Sequence, residues 1–218
     1  MSDSVSRQEI LRGLSQGLLG SATRTGLLRH TLEIHHGAAP LLDPVFLHSA
    51  SENFGVSLSL NKGSQSGPAQ RVRCNTGLLP FQDKVFSMVV LHHVLSDGTE
   101  AELSEAVRVL ARDGVLNVLG VNRLGWRHLT QGRIRRLPGL APLKVKFELD
   151  RLEMTMQGFA GAGLLGMNRP VFMHSGLAGL GLPLADVILM QARHRDSPEM
   201  TPLRFRERRS SVVQSAPG

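Results

Sequence analysis

Cysteine is almost absent from this chain of 218 residues, since Cys74 is the only one. A single thiol excludes an intrachain disulfide and a four-cysteine zinc site. Long apolar runs are also missing: the first twenty residues mix acids and arginines with short apolar groups, unlike a signal peptide. Arg169 and Pro170 divide the longest uncharged region, so it makes no bilayer-spanning helix of roughly 20 residues. These features predict a cytoplasmic protein without a transmembrane segment.

The rest of the composition is that of an ordinary folded protein. Apolar residues make up 41% of the chain and charged residues 20%, which predicts one domain with a sizeable core. The net charge is +7, and arginines concentrate in two stretches, 123–136 and 193–209. Such clusters attract phosphate, anionic lipid or nucleic acid, but a solvated basic face is the commoner explanation. Nucleic acid is therefore an option that the sequence does not favour.

Apolar spacing predicts a helix followed by several short strands. In residues 7–29 the leucines recur at helical intervals, and Gly20 with Ser21 marks a stop. Short apolar or alternating runs then predict strands at 30–34, 56–60, 71–75 and 86–91.

A helix and a buried strand follow the strand at 86–91. Thr99 and Glu102 have the spacing of a capping box, which predicts a helix over 99–112. Gly114 is expected to end it in the left-handed conformation, before a strand at 115–121. Strand, helix and strand form a βαβ unit, which implies a parallel sheet and an α/β fold. In such sheets ligands bind beyond the carboxyl ends of the strands.

Two segments of the sequence carry a resemblance to a known family. Residues 79–95 read LPFQDKVFSMVVLHHVL, and residues 105–122 read EAVRVLARDGVLNVLGVN. Together they resemble the class I S-adenosylmethionine-dependent methyltransferases, over about residues 30–122. The stretch that begins VILMQARHRD at residue 187 resembles the end of a little-characterised bacterial branch of that family.

The resemblance implies a Rossmann-like fold: a mainly parallel twisted sheet, helices on both faces and an antiparallel closing strand. It divides the chain into an N-terminal helical segment (1–29), a methyltransferase-like domain (30–192) and a basic tail (193–218). Within the domain, the glycine-rich region of about 154–185 would cover the site and choose the acceptor. The alternative is a purely structural role, in which this region forms loops and short strands that pack at the sheet edge.

The family binds its cofactor with D/E-x-G-x-G-x-G after the first strand, and residues 33–39 here read EIHHGAA. Glu33 and Gly37 remain, whereas His35 replaces the first glycine. An imidazole there would occupy cofactor space and would be strained if the backbone needed a positive φ. The resemblance implies that S-adenosylmethionine is contacted by Glu33, His35, Gly37, Asn61, Asn75, Thr76 and His92.

On the acceptor side the resemblance implies His93, Asn122 and Trp126, while no residue is singled out as catalytic. For Trp126, packing that anchors the basic segment is the alternative. The family places its first and fourth strands side by side, so His35 or His36 would approach His92 or His93. Imidazoles beside Cys74 would suit zinc. No H-x-x-x-H spacing is present, so no metal site is predicted.

Two functions remain open at this stage. The first is a methyltransferase that transfers a methyl group to a hydrophobic small-molecule acceptor. The second is a non-catalytic pseudo-methyltransferase that holds a protein partner through its basic surface, which the altered glycine motif favours.

Overall fold

The computed structural model describes residues 2–23, 30–36, 40–42, 54–59, 77–95, 100–126, 129, 139–164, 170–173 and 184–195. Its helices are α1 (Ser2–Thr23), α2 (Glu100–Val109) and α3 (Pro142–Arg151). Its strands are β1 (His30–His35), β2 (Phe54–Ser59), β3 (Phe86–His92), β4 (Leu110–Asn122), β5 (Gly139–Leu140), β6 (Met154–Ala162), β7 (Pro170–Met173) and β8 (Val187–His194).

All the strands belong to one sheet with the order β2-β1-β3-β4-β8-β6-β7, and β5 pairs with β4. Strands β2, β1, β3 and β4 run parallel, whereas β8 is antiparallel to both β4 and β6. This arrangement confirms the predicted α/β fold, its antiparallel closing strand and the adjacency of β1 and β3. Strands β6 and β7 occupy part of the glycine-rich region. The predicted strand at 71–75 lies outside the described residues.

Alternating side chains bury both faces of the parallel strands. Leu32 and Val89 belong to a core cluster shared with α2 and α3. Met88 and Val90 belong to a second cluster, on the face that α1 covers with its leucines. Helix α1 is therefore part of the core of the domain, because Leu11, Leu14, Leu18 and Leu19 are buried in it. In the part of the chain that the structure describes, no helix has the length and apolar character of a membrane span.

Three sequence predictions about helix ends need correction. Helix α1 continues past Gly20 and Ser21 to Thr23, and α2 ends at Val109 instead of residue 112. Gly114 does not adopt a left-handed conformation; it lies inside β4. A Cβ at Gly114 would come within 2.7 Å of a Leu110 methyl carbon, so close packing explains the glycine. Thr99 is not among the described residues, so the capping box stays a prediction.

The motif that carried the resemblance has a physical role in joining α2 to the segment before β3. The Arg108 guanidinium donates to the carbonyl oxygens of Leu79 and Phe81, and also to Asp83. Glu105 accepts two hydrogen bonds from Arg108 and a third from the Leu79 N–H, at 2.8 Å. These bonds lower the pKa of Glu105, with Arg108 as the main cause. The two segments of the motif, α2 and the residues before β3, are therefore hydrogen-bonded to each other. These bonds fix the position at which β3 begins.

Arg108→Lys is expected to lower the free energy of unfolding by about 2 kcal/mol. Lysine keeps the charge but lacks the planar fork that serves two carbonyl oxygens and two carboxylates at once. Urea denaturation measures the loss. The matched control is Arg151→Lys, because the Arg151 side chain is 58% exposed and its two ion pairs are longer, at 3.4 and 3.6 Å. The control should cost no more than about 0.5 kcal/mol, and equal losses in the two variants would contradict the assignment.

Candidate functional site

The carboxyl ends of β1, β3 and β4 meet at one edge of the sheet. His35 of β1 pairs with His92 of β3. The ladder continues past the strands, because the His36 N–H donates to the His92 carbonyl oxygen at 3.0 Å and the His93 N–H donates to that of Leu119 at 2.9 Å. Two histidine pairs therefore share this edge, as predicted. We call His35, His36, His92 and His93 the histidine edge.

Glu33 lies beneath the histidine edge and holds the segment that follows β1. Its side chain is completely buried, and its two oxygens accept hydrogen bonds from the N–H groups of Leu41 (2.7 Å) and Leu42 (3.0 Å). Burial raises the pKa of Glu33, and the two backbone donors oppose that rise. One carboxylate thus bridges the stretch in which the family carries its glycine motif. Glu33 thereby holds the backbone of Leu41 and Leu42 beside β1.

The imidazole of His92 is buried beside this carboxylate. Its Nδ1 lies 3.7 Å from Glu33 Oε1, and its ring centroid lies 4.4 Å from that of His93. Burial lowers the pKa of His92 to about 3, to which the positive charge of Arg12 adds. Burial also holds the pKa of His93 well below its usual value. Both rings are therefore neutral at physiological pH.

His93 also has an uncommon backbone conformation, with φ at 54°. A positive φ is uncommon outside glycine because it costs conformational free energy. A residue keeps such a conformation only where its surroundings fix it. The neighbouring β4 supplies that constraint, because the His93 N–H is bonded to Leu119. The turn at His93 places two imidazoles in succession at the end of one strand.

Several ring nitrogens of the histidine edge are buried without a hydrogen-bond partner among the described residues. They are both nitrogens of His92, and Nδ1 of His36 and of His93. A buried polar atom left unpaired costs about 1–3 kcal/mol, and such atoms are uncommon in folded proteins. In native proteins such atoms call for an explanation, and a ligand that supplies the missing partners is one.

His35 does not carry the backbone strain that the sequence suggested. Its φ is not positive, because residue 35 still belongs to β1 and is paired with both Ser59 and His92. The strand simply extends one residue into the position that the family gives to glycine. The His35 side chain is buried, and strand alternation puts it on the same face as Glu33.

The two remaining acceptor-side residues lie at the end of β4 (Asn122) and just beyond it (Trp126). Asn122 is buried, and its Nδ2 donates to the Ala185 carbonyl oxygen (2.9 Å) while its Oδ1 accepts from the Leu124 N–H (3.1 Å). These bonds give Asn122 a role in closing the turn after β4. Trp126 is 41% exposed, so a large part of this residue does not pack in the core. Acceptor contact by either residue stays a prediction.

Four of the predicted cofactor residues, Gly37, Asn61, Asn75 and Thr76, lie outside the described residues, as does Cys74. The structure thus brings together Glu33, His35, His92 and His93. Within the described ranges, no three histidine, cysteine or acidic side chains are grouped so as to hold a metal ion.

Sequence reasoning missed Arg12 of α1. Its charge lowers the pKa of both Glu33 and His92, which places it near two buried groups of the site. Helical spacing identifies the exposed position of Arg12 beside buried Leu11. No signal in the sequence shows that this face of α1 lies near the ends of β1 and β3.

Comparison with known proteins identifies the fold. No family model matches the sequence, and no curated protein matches it. Among solved structures, the plantazolicin methyltransferase BpumL in complex with S-adenosylhomocysteine (SAH) and a desmethyl-plantazolicin analogue is similar at 12% identity, with a TM-score of 0.60 and 89% of each chain covered. A second similar structure is an S-adenosylmethionine (SAM)-dependent methyltransferase of Thermotoga maritima, described as a possible histamine N-methyltransferase. It has 12% identity and a TM-score of 0.55, over 88% of this chain and 95% of that one.

A third solved structure, a SAM-dependent methyltransferase of Archaeoglobus fulgidus, has 15% identity and a TM-score of 0.54, over 83% of this chain and 93% of that one. At such identities the likeness concerns the fold. The chain has the Rossmann-like α/β fold of these methyltransferases across most of its length.

Glu33→Gln is expected to loosen the segment that Glu33 holds. An amide offers one acceptor oxygen and turns an NH₂ group toward the second backbone N–H, so one of Leu41 and Leu42 loses its partner. The free energy of unfolding should fall by about 1–3 kcal/mol. Hydrogen exchange at the Leu41 and Leu42 amides should become faster.

The matched control is Glu148→Gln, a buried acid on α3 whose ion pair is with Arg151. Exchange at Leu41 and Leu42 should be unchanged in that control. Wild-type exchange rates at both amides in Glu33→Gln would show that Glu33 does not hold this segment.

Proposed function

We propose that this protein is a SAM-dependent methyltransferase that binds its methyl donor at the histidine edge. The observation that carries the proposal is the set of buried ring nitrogens without partners at the carboxyl ends of β1 and β3. In an α/β sheet that edge is where ligands bind. The sequence motif, the shared fold and the SAH bound to BpumL, as its description states, support SAM as that ligand.

The described residues fit such a cofactor through their polar groups. His92 offers both ring nitrogens, and Glu33 holds the loop after β1 by two backbone N–H groups. Gly37 stands between Glu33 and Leu41 in the sequence, outside the described residues, and we assign it the close backbone approach to the cofactor. When bound, SAM supplies an electrophilic methyl group. The protein has then to align an acceptor with it, so proximity and orientation provide much of the acceleration.

The histidines do not suit general-base catalysis near neutral pH. A base works best when its pKa is near the working pH, whereas the pKa of His92 is about 3 and that of His93 is also far below its usual value. We therefore infer an acceptor that is nucleophilic without help from these imidazoles. A small molecule with an apolar body is the acceptor class we favour, because Leu124 and Trp126 are exposed just beyond β4.

A non-catalytic scaffold is the second candidate, and the buried imidazole of His35 is the observation that favours it. That ring adds bulk where the family has a glycine. If the ring fills the cofactor space, the fold would persist without its ligand. His35→Gly separates the two candidates, since it removes the bulk and keeps the strand position.

Titration calorimetry with SAM and with SAH tests the proposal on the full chain. We expect heat of binding with both ligands for the wild-type protein, with dissociation constants below about 1 mM, which corresponds to roughly 4 kcal/mol of binding free energy. Binding that appears only in His35→Gly would support the scaffold. Absence of heat in both proteins would overturn both the methyltransferase proposal and the cofactor-space account of the scaffold.

A further inference from the structure

His92 has an unpartnered lone pair whichever of its ring nitrogens carries the proton. A neutral imidazole has one N–H and one lone pair, and both nitrogens of His92 are buried without a hydrogen bond to any described residue. Glu33 Oε1 lies 3.7 Å from Nδ1, and a nearby carboxylate favours the proton on that nitrogen. The lone pair then belongs to Nε2.

Burial strengthens the interaction of the His92 lone pair with a positive charge, and solvent screens the opposing charge of exposed Arg12. His92 is 5% exposed and His93 is 4% exposed, so little water competes. In such surroundings the attraction between a charge and a dipole is stronger than in water. The ionisable groups around the two rings are Glu33 and His35 on β1, His36 just after it, and Arg12 on α1. Arg12 is the one permanent cation among them, and it is exposed to solvent.

We propose that the adjacent, mutually tilted imidazoles of His92 and His93 select a sulfonium ligand over its uncharged thioether counterpart. The inference rests on the proposed function and adds a property to it: the histidine edge recognises the charge of the methyl donor. SAM and SAH share every group except the sulfonium methyl and its charge. Any difference between their affinities therefore reports how the site treats that charge.

This selectivity would help turnover as well as binding. Transfer of the methyl group converts the sulfonium into a thioether, and the positive charge leaves the sulfur. A site that favours the sulfonium then holds the product more weakly than the donor. His92 and His93 would act as specificity-determining residues, with no proton transfer required of either.

The first test compares SAM with SAH on the wild-type protein by titration calorimetry at pH 7.5. A lone pair directed at a charged group contributes on the scale of a charge-assisted hydrogen bond, so SAM should bind about tenfold more tightly than SAH. Sinefungin, which carries a protonated amine in place of the sulfonium methyl, should bind more tightly than SAH as well. SAH that binds as tightly as SAM would overturn the inference, whatever any variant does.

The second test assigns the selectivity to His92. His92→Leu keeps a similar side-chain volume and removes both nitrogens, so the SAM and SAH affinities should become equal within about twofold. The matched control is His194→Leu, because His194 also has a buried, unpartnered Nε2 within the described part of the chain. His194 lies at the end of β8, paired with Met154, away from the ends of β1 and β3.

The control should keep the wild-type ratio of SAM to SAH affinity. Retention of the tenfold ratio in His92→Leu would contradict the assignment to His92. If His92→Leu does not fold, as its melting transition would show, His93→Asn replaces it, because asparagine tolerates the positive φ at residue 93. Its ratio should fall at least threefold, and an unchanged ratio would contradict the inference. Failure of both ligands to bind the wild-type protein would overturn the proposed function instead.

Discussion

The site depends on one buried carboxylate whose two oxygens are both committed to backbone N–H groups. Glu33 can stay in the core because Leu41 and Leu42 satisfy it, and those two residues are held because Glu33 is buried. Leu41 and Leu42 are therefore held beside β1 by a side chain of the strand itself, two residues before His35.

The sheet supplies the other half of that rigidity. Strand β3 is paired on both sides, and Arg108 fixes the segment that leads into it. His92 and His93 thus lie at the end of a strand that is fixed at its start by Arg108 and on both sides by the neighbouring strands. The ring nitrogens of His92 are buried, and a bound ligand is the partner that we propose for them.

The sequence was sufficient to predict several of the main strands and helices, because the signals for them are local. Alternating and helical apolar spacing predicted β1, β3 and α2, since each buries one side or both sides of a regular element. Gly114 misled the prediction, because a glycine after a helix signals a left-handed turn in most contexts. Here the close approach of Leu110 requires the glycine, and that contact comes from the fold of β4.

The position of the histidines at one sheet edge was predictable from the sequence, but their contacts were not. Strand ends in a parallel sheet pointed to His92 and His93. The acid nearest the His92 ring, however, is Glu33, 59 positions earlier, and only the β1–β3 register brings the two within 3.7 Å. Asn122 was predicted to contact the acceptor because it is a polar residue at a strand end. Its side chain forms hydrogen bonds with the backbone of Ala185 and Leu124. Burial lowers the pKa of His92 and of His93, and the sequence does not report burial atom by atom.

The most direct test of this account is NMR of the protein with ¹⁵N-labelled histidine, recorded with and without SAH. The account predicts that His92 has the ¹⁵N shifts of a neutral imidazole at pH 7, and that SAH moves them while those of His194 stay in place. Ring nitrogens of His92 that are charged at pH 7, or that do not respond to a ligand shown to bind, would contradict it.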